Sequence, residues 1–120
     1  MSLKKRILIC GGRNYHNQLE AYALLDTLEQ FFDPKAVFIE GGALGGDRLG
    51  RSWARSKGKP VITMEAPWDF YGNSAGPIRN QWMIDYAFPD LVISLPGGNG
   101  TRDMVAKAKL AGIDTTGAIE

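Results

Sequence analysis

Four short apolar runs punctuate the chain: RILIC at 6–10, AVFIE at 36–40, PVITM at 60–64 and DLVISL at 90–95. They are rich in Val and Ile and do not alternate with polar residues, the pattern of strands covered on both faces. Between them the apolar positions switch to helical spacing. Leu25, Leu28 and Phe32 share one stripe within 18–32, and Leu49 and Trp53 share another within 47–57. Pro77, a favoured first-turn residue, opens a third helix that runs to Ala87. A fourth spans 101–111 and stops at Gly112, a natural C-terminal cap. Strand and helix in strict alternation predict an α/β fold, with a mostly parallel sheet of four or five strands, right-handed crossovers and helices on both faces. The closing GIDTTGAIE reads either as a weak fifth edge strand or as a frayed tail. Residues 66–83 form the longest unpatterned loop.

A length of 120 residues suits one domain, 1–120, with a single core. Net charge is +1, so bulk electrostatics argue for neither a nucleic-acid nor a membrane partner. The lone cysteine, Cys10, precludes an internal disulfide, and with one histidine, His16, the chain is poor in zinc ligands. No metal and no cofactor is expected. The apolar runs are strand-sized and too short for a bilayer, and a reduced, cytoplasmic setting is the expectation.

Three of the four strand ends run into glycine: CGGRNY (10–15), EGGALGGD (40–47) and PGGNGT (96–101). In an open parallel sheet, ligands bind beyond the carboxyl ends of the strands. Glycine there lets backbone approach a ligand closely, and the following helix offers unpaired N–H groups and a positive dipole end to an anion. One such turn is as often only a tight connection; three at one sheet edge favour a shared site. None fits the P-loop pattern, because no lysine follows the glycines. The residues this points to are Gly11, Gly12, Gly41, Gly42, Gly45, Gly46, Pro96, Gly97, Gly98 and Gly100, with Thr101 capping the last helix or donating its hydroxyl.

Polar neighbours converge on the same edge. Arg13, followed by Asn14, either clamps a phosphate or is a surface arginine. Asp47 either caps the second helix or accepts from a sugar hydroxyl. Arg79 and Asn80 open the third helix, where an anion is welcome. Asp103 either favours its helix dipole or serves as an acid, a base or a partner for positive charge at a sugar carbon. Trp68 and Tyr71 either cover the core edge or flank a base, and 72–76 is small and polar, as in a mobile lid. Cys10 reads as core, His16 as a surface or rim residue, and Ser74 lacks a hydrolase elbow.

In this order, GGRNY, GGALGGD, W-x-x-YG-x-x-AGPIRN-x-x-M and PGG-x-GT resemble the YspA/cpYpsA-related family of the SLOG superfamily, over about Ile7 to Ile113. The resemblance implies a Rossmann-like three-layer sandwich and a ligand that is a nucleotide or derives from one, such as ADP-ribose or an NAD derivative, in a bacterial or phage protein. PGG-x-GT also looks like the segment of the Lonely Guy phosphoribohydrolases, which cleave the N-glycosidic bond of nucleoside monophosphates. That family places acids directly after the Thr; here Arg102, Asp103 and Met104 follow, and only Asp103 is acidic. The expectation is a binder of a phosphorylated, nucleotide-like small molecule that acts as a sensor or processing protein. The alternative is a nucleoside-monophosphate glycosidase using Asp103 and Arg79. Exposed helix faces leave a homo-oligomer open.

Overall fold

The computed structural model describes residues 2–119. Five strands form one parallel sheet: β1 (Lys4–Cys10), β2 (Phe32–Glu40), β3 (Val61–Thr63), β4 (Leu91–Ser94) and β5 (Asp114–Gly117), in the order β3-β2-β1-β4-β5. The helices are α1 (Gln18–Leu28), α2 (Gly46–Ser56), α3 (Trp68–Tyr71), α4 (Ala75–Ala87) and α5 (Asn99–Leu110). The α/β class and the helix-covered parallel sheet are therefore as expected, and the C-terminal segment resolves as the edge strand β5.

Successive residues of β1 point to opposite faces, and this builds two cores. Ile7 and Ile9 pack with Ala21 and Leu25 of α1 and Trp53 and Ala54 of α2. Leu8 and Cys10 pack with Met83, Ile84 and Ala87 of α4 and Met104 and Ala108 of α5. Phe32, Phe38 and Trp53 meet edge-to-face, with ring centroids 5.5–6.1 Å apart, and the Trp53 indole N–H donates to Asp26 at 2.9 Å. Such edge-on packing adds quadrupole attraction to the burial of three large rings.

The first helix is shorter than its apolar stripe. It ends at Leu28, a 3₁₀ turn covers Glu29–Phe31, and Phe32 begins β2. Phe32 is buried, but against the sheet and Trp53 rather than as a fourth helical turn. Pro34 has no N–H for a ladder, and the β1–β2 register slips there, from Lys4↔Phe32 to Arg6↔Val37. The third helix begins two residues before Pro77, and the loop ahead of it contains α3 and a 3₁₀ turn at Gly72–Ser74. The last helix starts at Asn99, so Thr101 lies in its first turn and Gly98 is the cap.

The order reverses between β1 and β4. From β1 the chain passes to the α1/α2 face, and from β4 to the α4/α5 face, so the connections part and leave a crevice at the strand ends. GGRNY and PGGNGT stand at its two sides.

Candidate functional site

A cavity of about 960 Å³ opens at this switch point. Gly11 to Tyr15 line one side and Pro96 to Thr101 the other; Asp47, Arg79 and Asn80 lie in its wall, with Trp68, Asn73, Gly76 and Pro77 along the α3–α4 side. Of the residues singled out from the sequence, Gly11, Gly12, Arg13, Asn14, Asp47, Trp68, Arg79, Asn80, Pro96, Gly97, Gly98, Gly100, Thr101 and Asp103 face this one space. Gly41, Gly42, Gly45, Gly46 and Tyr71 do not line it. Tyr71 is half exposed and turns edge-on to Trp82, 6.3 Å between centroids.

The glycine loops touch one another. A Cβ on Gly12 would stand 2.9 Å from the Gly97 Cα, and the Gly12 N–H donates to the Pro96 carbonyl at 2.9 Å. Gly45, at φ 81°, passes under the Gly12–Arg13 backbone, which lets the Gly46 N–H reach the Gly12 carbonyl at 2.9 Å. Much of the glycine therefore serves loop against loop, and several glycine amides are already spent. The Gly11 N–H donates to Asp47 Oδ1 at 3.2 Å, and the Gly42 N–H to Glu40 Oε1 at 2.7 Å.

The amides opening α5 differ. No side chain caps this helix. The first backbone bond back to its cap is Arg102 N–H to Gly98 C=O at 3.0 Å. Among the described residues, the N–H groups of Gly97, Gly98, Asn99, Gly100 and Thr101 donate to no protein acceptor. They line the cavity, and Gly98 and Gly100 have open space where a Cβ would go. By contrast α1, which follows the first strand, is closed by Asn17 Oδ1 accepting from Glu20 N–H at 3.1 Å. The α5 terminus opens onto the cavity as a row of unpaired donors at a positive dipole end.

Asp47 sits in the first turn of α2 but does not cap it; Gly45 holds that position. Its carboxylate accepts from the Gly11 and Ala43 amides, 3.2 and 3.3 Å away, and so fastens the loop after β1 to the loop after β2. Burial pushes its pKa up to about 6, against the pull of the Arg79 charge and its backbone donors. Burial, and then the Asp47 charge, also raise the Cys10 thiol beneath it. Cys10 lies in both the core and the cavity wall, inert as a nucleophile in this protonated state.

Arg79 is buried, and two of its three guanidinium nitrogens are committed. Nη1 donates to Gly41 C=O at 2.6 Å and Met64 C=O at 3.3 Å, and Nε to Asn80 Oδ1 at 3.1 Å. Burial lowers its pKa, opposed by the charges of Asp47 and Glu40. Gly41 is required because a Cβ there would strike this guanidinium and come within 2.7 Å of Asp47 Oδ2. Asn80 carries the tie onward, its amide donating to Gly100 C=O at 3.2 Å and Asp103 Oδ2 at 2.9 Å. Asp103 also receives Lys107 Nζ on both oxygens, at 2.6 and 2.7 Å. Together Arg79 and Asn80 hold the end of β2 and the start of α5 in one frame.

Among the lining residues outside the sequence-based selection are the polar Tyr15, Asn73 and Asn99. Tyr15 and Asn99 belong to motifs already quoted, GGRNY and PGGNGT, and only their side-chain directions were hidden. Lys107 was signalled by its i,i+4 spacing from Asp103. Among the described residues no group of three or more His, Cys, Asp or Glu side chains is placed to hold a metal ion, and no helix is long and apolar enough to cross a membrane.

This architecture is that of a Rossmann-like protein with its cleft at the strand-order reversal. Residues 5–71 match the YspA, cpYpsA-related SLOG family, and the chain belongs to that family. The Gene 61 protein of Mycobacterium phage D29 is 34% identical over 118 residues, covering 91% of this chain and 92% of the phage protein. Among solved structures, the Chlamydomonas rheinhardtii Moco carrier protein superposes with a TM-score of 0.64 at 16% identity, over 95% of this chain and 75% of its own. That likeness is one of fold.

Proposed function

We propose that this chain binds a phosphorylated, nucleotide-derived small molecule, with the phosphate on the amides that open α5 and the remainder along the Gly11–Asn14 and Trp68 walls. The observation that carries this reading is the row of unpaired N–H groups from Gly97 to Thr101, facing a cavity of about 960 Å³ at the switch point. Backbone donors at a helix N-terminus favour an anion with several oxygens. The volume suits a ligand of nucleotide size. Family membership is in keeping with such a ligand, as is the occurrence of the fold in the Moco carrier protein.

Thermal shift tests the reading. AMP, ADP, ADP-ribose and NAD are compared with adenosine, which has the ring and sugar but no phosphate. Preferential binding to the folded state raises the melting temperature. At least one phosphorylated compound raises it and adenosine does not. No shift with any phosphorylated compound, or an equal shift with adenosine, contradicts the reading.

A glycosidase reading has one observation in its favour, the presence of Asp103 in the cavity wall one turn from the proposed phosphate. Against it, both Asp103 oxygens receive the Lys107 ammonium, and Nη1 and Nε of Arg79 are tied to Gly41, Met64 and Asn80. Incubation of AMP with the protein separates the two. Binding alone returns AMP intact. A glycosidase releases free adenine and loses that release, but not its affinity, in Asp103→Asn.

A further inference from the structure

The Arg13 guanidinium carbon lies 4.9 Å from the Trp68 ring centroid. The two residues come from different elements, the loop after β1 and the first turn of α3, and both line the cavity. Trp68 is 44% exposed although its indole belongs to the wall of a cleft. The far edge of the indole is backed by α4, where a Cβ on Gly76 would sit 3.5 Å from Trp68 Cη2. Arg13 has no hydrogen bond or ion pair with another side chain among the described residues; the ring is what holds it. An exposed cation over an indole is a weak, readily exchanged contact.

We propose that Arg13 is a displaceable cover on Trp68, and that an aromatic ring of the ligand takes its place, so that this pair makes the cleft favour ring-bearing phosphates over ringless ones. The proposal rests on the reading of the cleft as a phosphate site. A nucleobase offers a flat face larger than a guanidinium, and stacking on an aromatic side chain tolerates any base. Arg13 leaves no buried partner unsatisfied when it moves, because it is exposed and its charge stays in water. Its loop neighbour Gly12 packs on Gly97, so the released cation remains beside the α5 amides and any phosphate bound there.

The test compares AMP with ribose 5-phosphate, the same sugar phosphate without a ring, by titration calorimetry on the wild-type chain and Trp68→Leu. The wild type binds AMP about tenfold more tightly, the effect of one stacked base. Trp68→Leu lowers AMP affinity about tenfold, to the level of ribose 5-phosphate, and leaves ribose 5-phosphate within about twofold. A second measurement needs no substitution. The Arg13 side-chain protons carry an upfield NMR shift from the Trp68 ring current; AMP changes that shift and ribose 5-phosphate does not. If Trp68→Leu keeps the preference for AMP, or if AMP binds while the Arg13 signals stay in place, the cover does not exist and the phosphate site stands. If neither compound binds, the phosphate reading fails and the cover falls with it.

Discussion

Gly11 and Gly46 meet backbone to backbone: a Cβ on Gly11 would lie 2.8 Å from the Gly46 Cα and 2.9 Å from the Leu95 Cβ. The contact joins the end of β1 to the first residue of α2 and sets where the cleft wall stands. Neither backbone can retreat, because the Gly46 N–H is bonded to Gly12 C=O and the Gly11 N–H to Asp47.

Gly46→Ala therefore destabilises the fold by about 2 kcal/mol, the range of overpacking in a well-filled interior. Gly100→Ala is its counterpart. Gly100 is exposed and helical, with no atom within 4 Å of the added methyl. Fold stability is unchanged, or rises by up to about 1 kcal/mol from helix propensity, while affinity for a phosphorylated ligand falls. Urea denaturation gives the first pair of effects and calorimetry the last.

Asp47 ties two loops with a carboxylate whose pKa is raised from 3.8 to about 6. A folded-state pKa above the unfolded value means that the folded chain holds the proton more tightly. Stability from this group is then greatest in acid, falls as pH rises from about 4 to about 6, and levels off above. Subtracting the pH profile of Asp47→Asn from that of the wild type isolates this slope in chemical denaturation between pH 4 and 8. A difference that rises with pH over that window overturns the assignment.

Phe88 ends α4 at φ 51°, the left-handed conformation usually reserved for glycine, yet its side chain is 68% exposed. Little burial offsets the strain. Phe88→Gly stabilises the protein by about 1 kcal/mol, the left-handed penalty relieved less the entropy of glycine, and appears as a higher urea midpoint at unchanged slope.

Strand placement was legible because the four apolar runs lack polar alternation, and helix placement because Leu25 and Trp53 sit on clear stripes; the expected burial fails for PVITM, which becomes the edge strand β3 with Ile62 exposed. Phe32 misled because an apolar residue seven positions after Leu25 fits a helix and a strand start equally; only its docking on Trp53 and Phe38 decides. The glycines announced a crowded edge but not which crowding applied. Gly41, Gly45 and Gly46 make room for protein, whereas Gly98 and Gly100 face open space. Spacing alone does not separate the two cases, since both satisfy a turn. Likewise nothing in the chain order tells that Asp47 fastens loops rather than capping α2, or that Arg79 is tied to carbonyls of Gly41 and Met64. Those partners are far away in sequence and meet only through the parallel crossovers.

The central claim is that the amides opening α5 take the ligand's phosphate. Backbone amide NMR during titration with AMP reads this directly. The account predicts the largest shifts at Gly97, Gly98, Asn99, Gly100 and Thr101, saturating together. Saturable binding that leaves those five amides unmoved, or no perturbation of any amide at millimolar AMP, would contradict it.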